Sequence, residues 1–137
     1  MPGREDAQNF IDTPPQDGDY IEEMSFTLQC ILNESARASS PYVPTAVILN
    51  FLAENGHEMT VTQWQQNVLG RLRGMDREVI EERYVFIGAS SGGMFLLENE
   101  SLAIEAVDFY VNRIASENNR LRRLREVFNQ YNYPFPE

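Results

Sequence analysis

The sequence contains no lysine: all eleven of its basic residues are arginine. That absence excludes a Schiff-base lysine, a P-loop lysine and a lysine general base. Cysteine and histidine occur once each, as Cys30 and His57. A lone cysteine cannot build a disulfide framework within the chain, and one Cys with one His falls short of a Cys/His zinc site. No apolar run approaches the length of a membrane span. The opening residues, MPGREDAQNF, lack the apolar core of a secretory signal. These absences predict a soluble, cytoplasmic protein.

What remains is acidic and of ordinary size. The 137 residues, 42% of them apolar, suit one domain around one core. The net charge is −10, and it is unevenly spread. Residues 1–34 hold eight acids against Arg4 alone, a net of −7. Residues 1–18 are polar and interrupted by Pro2, Gly3, Pro14, Pro15 and Gly18, which predicts a disordered acidic arm. Arginines cluster in two places: Arg71, Arg73, Arg77 and Arg83, among Asp76, Glu78, Glu81 and Glu82, and Arg113, Arg120, Arg122, Arg123 and Arg125, beside Glu117.

Past the arm, a helix can start at Asp19, with Glu22 three positions on in a box-like cap. Ile21, Met24, Leu28, Ile31, Leu32 and Ser35 share one of its faces, and it fades by Ala38. Pro44 suits the first turn of a second helix with Val47, Ile48, Phe51 and Leu52 inward, closed by Gly56. Thr60 or Thr62 can cap a third, with Gln63 or Gln65 as reciprocal partner and Val61, Trp64, Val68 and Leu72 at helical spacing. A short helix over residues 76–83 follows. Two strands, 84–87 and 94–97, then flank the glycine-rich connection 88–93 as a hairpin.

The last element is the clearest. Residues 100–131 lack Pro and Gly, Asn99 or Ser101 can cap them, and Pro134 and Pro136 follow. Val107, Ile114, Leu121 and Phe128 recur every seven residues, with Tyr110, Glu117, Leu124 and Tyr131 at the complementary offset. That is a coiled-coil seam with one polar position, Glu117. The first half of the helix packs on the domain. The second half has little of its own domain left to cover it, so a second copy of the chain is the expected partner, through Val107, Tyr110, Ile114, Leu121, Leu124 and Phe128. The domain boundaries follow: arm 1–18, core 19–99, pairing helix 100–131, tail 132–137.

Catalytic constellations are missing. The stretch Val85-Phe-Ile-Gly-Ala-Ser-Ser-Gly-Gly93 resembles the strand and glycine turn that open short-chain dehydrogenases. Met94 stands where the third glycine belongs, Phe95-Leu96-Leu97 reads as strand rather than helix, and the family's lysine cannot exist here. Ser90 and Ser91 have no evident base, and His57 reads as a surface residue after a helix end. Glu22/Glu23 and Glu81/Glu82 are neighbours in sequence and do not share a helix face. The expectation is a protein that is not an enzyme and takes no cofactor or metal.

The order of elements, three helices, a hairpin and a long helix, is a mainly α (α+β) arrangement. Over residues 44–125, Pro44-Thr-Ala-Val-Ile-Leu-Asn-Phe-Leu, Thr60-Val-Thr-Gln-Trp, Val68-Leu-Gly-Arg-Leu-Arg and Ser90-Ser-Gly-Gly-Met-Phe-Leu-Leu resemble a winged-helix (winged helix-turn-helix) DNA-binding domain. Residues 109–121 resemble the appended C-terminal helix of small plasmid, phage and bacterial members. The resemblance implies binding of double-stranded DNA, with a helix in the major groove and the two-stranded wing at the backbone. It implies Arg71, Arg73, Arg77 and Arg83 around the recognition helix and Ser90 and Ser91 as phosphate contacts at the wing tip. The wing carries no arginine, and Asp76, Glu78, Glu81 and Glu82 stand against phosphate. Two readings follow: a homodimeric DNA-binding regulator of transcription or replication, or an interaction module that takes a basic protein partner through its acidic arm.

Overall fold

A computed structural model describes residues 3–16, 18–72 and 87–136. The helix α2 (Ile21–Ala38) is its axis. Met24, Leu28, Cys30, Ile31 and Leu32 are all buried, as the periodicity required. Around it lie α1 (Gly3–Asp12), α3 (Thr45–Glu54) and the helical stretch α4 (Val61–Trp64), which continues through a π turn (Gln65–Leu69) into α5 (Gly70–Leu72). The strands β1 (Ile87–Ser90) and β2 (Gly93–Leu96) form an antiparallel pair, and α6 (Glu100–Gln130) closes the chain. The fold is mainly helical with one two-stranded sheet and a long C-terminal helix, the class expected from the sequence.

Several local signals act as anticipated. Pro44 precedes α3 in extended conformation, and Gly56 follows its end at φ 85°. Thr60 caps α4 in a complete capping box: its Oγ1 accepts from the Gln63 N–H, and Gln63 Oε1 accepts from the Thr60 N–H, both at 3.1 Å. Asn99 caps α6 by accepting from the Leu102 N–H at 2.9 Å. Trp64, Val68 and Leu72 are fully buried. Their strict spacing of four would drift by about 40° per step around an α-helix. The wider π turn, in which the Gly70 N–H donates to the Gln65 carbonyl, keeps them on one side.

Three expectations are corrected. Residues Gly3–Asp12, expected to be disordered, form a helix with Ala7 and Phe10 buried against α2. Gly3 lies so close to the chain that an added Cβ would sit 2.3 Å from the Leu97 carbonyl oxygen. Arg4 binds Glu98 at 2.7 Å and donates to Ser35 Oγ at 3.0 Å. Secondly, α2 is preceded by Tyr20 in left-handed conformation rather than capped by Asp19, whose carbonyl instead accepts from Arg71 at 3.1 Å. Thirdly, the hairpin is tighter than a glycine-rich connection suggests. Ile87 pairs with Leu96, Gly88 with Phe95, Ala89 with Met94 and Ser90 with Gly93, which leaves Ser91-Gly92 as the turn. Gly88 belongs in the strand because the Phe95 ring occupies the space of its missing side chain, 2.8 Å from an ideal Cβ. The expected helix over 76–83 and the start of the first strand, 84–86, lie outside the described residues.

A further bridge was not anticipated. Val43 pairs antiparallel with Met94, its N–H donating to the Met94 carbonyl at 2.8 Å and its carbonyl accepting at 2.9 Å. This single residue between α2 and α3 thus extends the hairpin on its β2 side. Gly93, at φ 129°, permits the approach: a Cβ there would lie 2.5 Å from the Val43 oxygen.

Gly93→Ala should therefore destabilise the protein by at least about 1–3 kcal/mol in a denaturant titration. Phe10→Ala should cost about 3 kcal/mol and release the amides of α1 to rapid hydrogen exchange; a free arm would show neither effect.

Candidate functional site

Of the six residues expected at a DNA face, Arg71, Ser90 and Ser91 are described. Arg73, Arg77 and Arg83 lie outside the described residues, as do Asp76, Glu78, Glu81 and Glu82. Arg71 is half-buried at the start of α2, where its guanidinium lies 5.5 Å from the centre of the Tyr20 ring and donates to the Asp19 carbonyl. Ser90 Oγ accepts from the Gly92 N–H at 3.2 Å, which stiffens the hairpin turn, and Ser91 is exposed at its tip.

The outward side of α4 and the π turn carries groups that sequence reasoning passed over. Thr62, Gln65 and Gln66 are exposed, Asn67 is half-buried, and Gln63 is exposed but engaged in the capping box. From Val61 to Leu72 there is no carboxylate. Amide side chains can hydrogen-bond adenine edges, and hydroxyls can serve either base type or phosphate. The inward spacing of Trp64, Val68 and Leu72 already implied this outward set. The acids at 76–82 had drawn attention to the wrong segment.

On α6, the first turns face the domain and the rest stands clear. Leu102 is buried, and Ala106, Phe109 and Tyr110 are half-buried on the side of β1. Residues 111–127 are exposed throughout. Ile104, Val107, Val111 and Ile114 are 52%, 59%, 54% and 60% exposed, and Leu121 and Leu124 are 46% and 53% exposed. The expected seam is present with two revisions. Tyr110 turns toward the domain, edge-on to Phe109, and Val111 takes its place outward. Phe128 is half-covered by the chain's own tail, with the Tyr133 and Phe135 rings at 5.8 and 5.3 Å. Arg125 lies over the same Phe135 ring at 4.8 Å, and Arg120 is paired with Glu117.

Two open clefts flank the core. One, of about 420 Å³, is lined by Arg4, Ser35, Ser39, Ser40, Glu98, Asn99 and Ser101, with its arginine already neutralised by Glu98. The other, of about 300 Å³, holds His57, whose ring nitrogens lie 3.8 Å from Glu22 and 4.0 Å from Glu23 and whose ring packs 5.5 Å from Phe26. His57 is thus a part-buried link between α2 and the end of α3 rather than a surface residue. Tyr42 donates to Glu105 at 2.6 Å, and that bond holds its hydroxyl proton above the usual tyrosine range. Among the described residues no cluster of His, Cys, Asp and Glu could hold a metal, and no helix is long and apolar enough to cross a membrane.

A scan against protein-family models, a search of curated proteins and a search of solved structures each return no match for this chain. Its reading therefore rests on its own geometry.

Cys30 is 1% exposed, and burial, with Glu34 and Glu54 adding to it, pushes its thiol up to about 12. The folded chain keeps this proton between pH 9 and about 12, whereas the unfolded chain releases it from near 9. Stability contributed by the protonated thiol is thus present below pH 9 and falls as pH rises through that window. Cys30 should resist thiol reagents at pH 8 until denaturant is added, and Cys30→Ala should flatten the alkaline fall in stability.

Proposed function

We propose that this protein is a homodimeric winged-helix DNA-binding protein, a regulator of transcription or replication that takes double-stranded DNA. The observation that carries the reading is the Val43–Met94 bridge. With it the chain runs helix, bridging strand, helix, helix, hairpin, which is the winged-helix order, with α2, α3 and α4–α5 as the three helices and β1–β2 as the wing. In that order α4–α5 is the recognition element. Its freedom from carboxylates supports the reading, because no fixed negative charge on it opposes phosphate. Thr62, Gln65 and Gln66 are then the base-reading side chains. Arg71, Arg73, Arg77 and Arg83 follow as phosphate contacts, with Ser90 and Ser91 at the wing tip.

The exposed seam of α6 joins two copies, so that two reading units act on one duplex. The alternative, a module for a basic protein partner, draws on the acidic residues of α1 and the start of α2. Glu5, Asp12, Asp19 and Glu22 remain exposed for that purpose.

Fluorescence anisotropy on duplex DNA over a salt series tests the proposal. Binding should weaken steeply with salt, and replacing Arg73, Arg77 or Arg83 with Ala should each lower the salt slope by about one. Gln65→Ala or Gln66→Ala should instead relax sequence preference, costing about 1–3 kcal/mol at the base it reads. Absence of binding at low salt, with capture of a basic protein lost on removing residues 1–18, would replace DNA by a protein partner. Light scattering should give about twice the 15.8 kDa of one chain.

A further inference from the structure

We infer that the two copies pair through α6 in parallel and in register, along Ile104, Val107, Val111, Ile114, Asn118 and Leu121, with each Asn118 facing its own counterpart. This inference rests on the pairing proposed above and gives it a direction. The residues follow a strict alternation of three and four, so they form one stripe on a helix that bends gently around its mate. The stripe lies opposite the side on which Leu102, Ala106 and Phe109 meet the domain, so neither domain obstructs a side-by-side partner. Its apolar members are between 46% and 60% exposed in the single chain.

Asn118 selects the direction. It stands in the same set of layers as Ile104 and Val111. In a parallel pair a layer contains the same residue twice, so two Asn118 amides meet and satisfy each other, which also holds the assembly at two strands and fixes the register. In the antiparallel pair that matches the same layers, Asn118 faces Ile114, and a buried amide loses its hydrogen-bond partner.

Charge agrees. Glu117 borders the stripe on one side and Arg122, five residues on, borders it on the other. Parallel helices bring each Glu117 beside the partner's Arg122, twice by symmetry. Antiparallel helices would place Asp108 beside the partner's Arg122 but would set Glu117 against its own counterpart. In the single chain Glu117 is paired with Arg120 one turn along, with both side chains more than half exposed. Such a pair is weak and leaves the carboxylate free to reach across.

The chain itself ends the contact. The next layer would set Arg125 against Arg125, and the one after it Phe128 against Phe128. Instead Arg125 lies over the Phe135 ring, and Phe128 is covered by Tyr133 and Phe135 of the returning tail. The stripe therefore stops at Leu121.

Cysteine cross-linking in the full chain tests this, since buried Cys30 takes no part. Asn118→Cys should give a covalent dimer under mild oxidation, while a mixture of Val111→Cys and Leu121→Cys chains should give no mixed cross-link. Glu117→Arg should weaken association about 2- to 30-fold, and Glu117→Arg with Arg122→Glu should restore it. A mixed cross-link without the Asn118→Cys one, in a protein that scatters as a dimer, would overturn the direction and leave the pairing intact. A monomeric mass for the unmodified chain across a concentration series would overturn both.

Discussion

The structure depends on the dehydration of one helix. Every other packed element is laid against α2 or against something that touches it: α1 on one side, α3 on another, the π turn and β2 at further points. Met24, Leu28 and Ile31 have no exposed surface at all. Each such side chain contributes about 1.5–3 kcal/mol on leaving water. Among these apolar groups lies one hydroxyl, Thr27, and it is fully engaged. It donates to the Glu23 carbonyl at 2.8 Å and accepts from Trp64 Nε1 at 3.3 Å. The indole and the helix thus satisfy each other's polar atoms in the core, and this contact sets where α4 runs and which of its side chains face outward.

Much of this was legible because it is local. Thr60 with Gln63, Pro44, Gly56 and Asn99 each act within one turn of their own position, so short spacings were enough to find them. The inward face of α2 followed from periodicity alone. The features that escaped are long-range. Nothing near Gly3 announces that its missing Cβ admits the Leu97 carbonyl, and Arg4 gives no sign of Glu98. Val43 is a strand one residue long, below any pattern. Gly88 read as loop because glycine breaks strands, yet here an aromatic ring from the neighbouring strand fills the gap. For the candidate site, the heptad recurrence of Val107, Ile114 and Leu121 was visible. The turning of Tyr110 inward was not, since it depends on where the domain lies.

A net charge of −10 does not by itself forbid contact with a polyanion. Charges beyond about 8 Å are largely screened at physiological ionic strength, so what matters is which groups stand at the surface of approach. The acids of this chain are concentrated near its start, and α1 carries part of them onto the domain through Ala7, Phe10 and the Arg4–Glu98 pair. The segment from Val61 to Leu72 is left with amides, hydroxyls and one arginine. Docking the arm thus separates the molecule's carboxylates from the segment assigned to recognition, which a loose tail would not do.

The π turn at Gln65–Leu69 holds one residue more than an α-helical turn would need. That surplus works as slack in the backbone. Shortening the chain by one residue there could be absorbed by reverting to ordinary winding, but everything downstream would swing by about 100° about the axis. Leu72 would leave the interior and Arg71 would lose Tyr20. An evolving lineage therefore has a small, ready-made dial in this turn, able to re-aim one stretch of surface without rebuilding the scaffold beneath it.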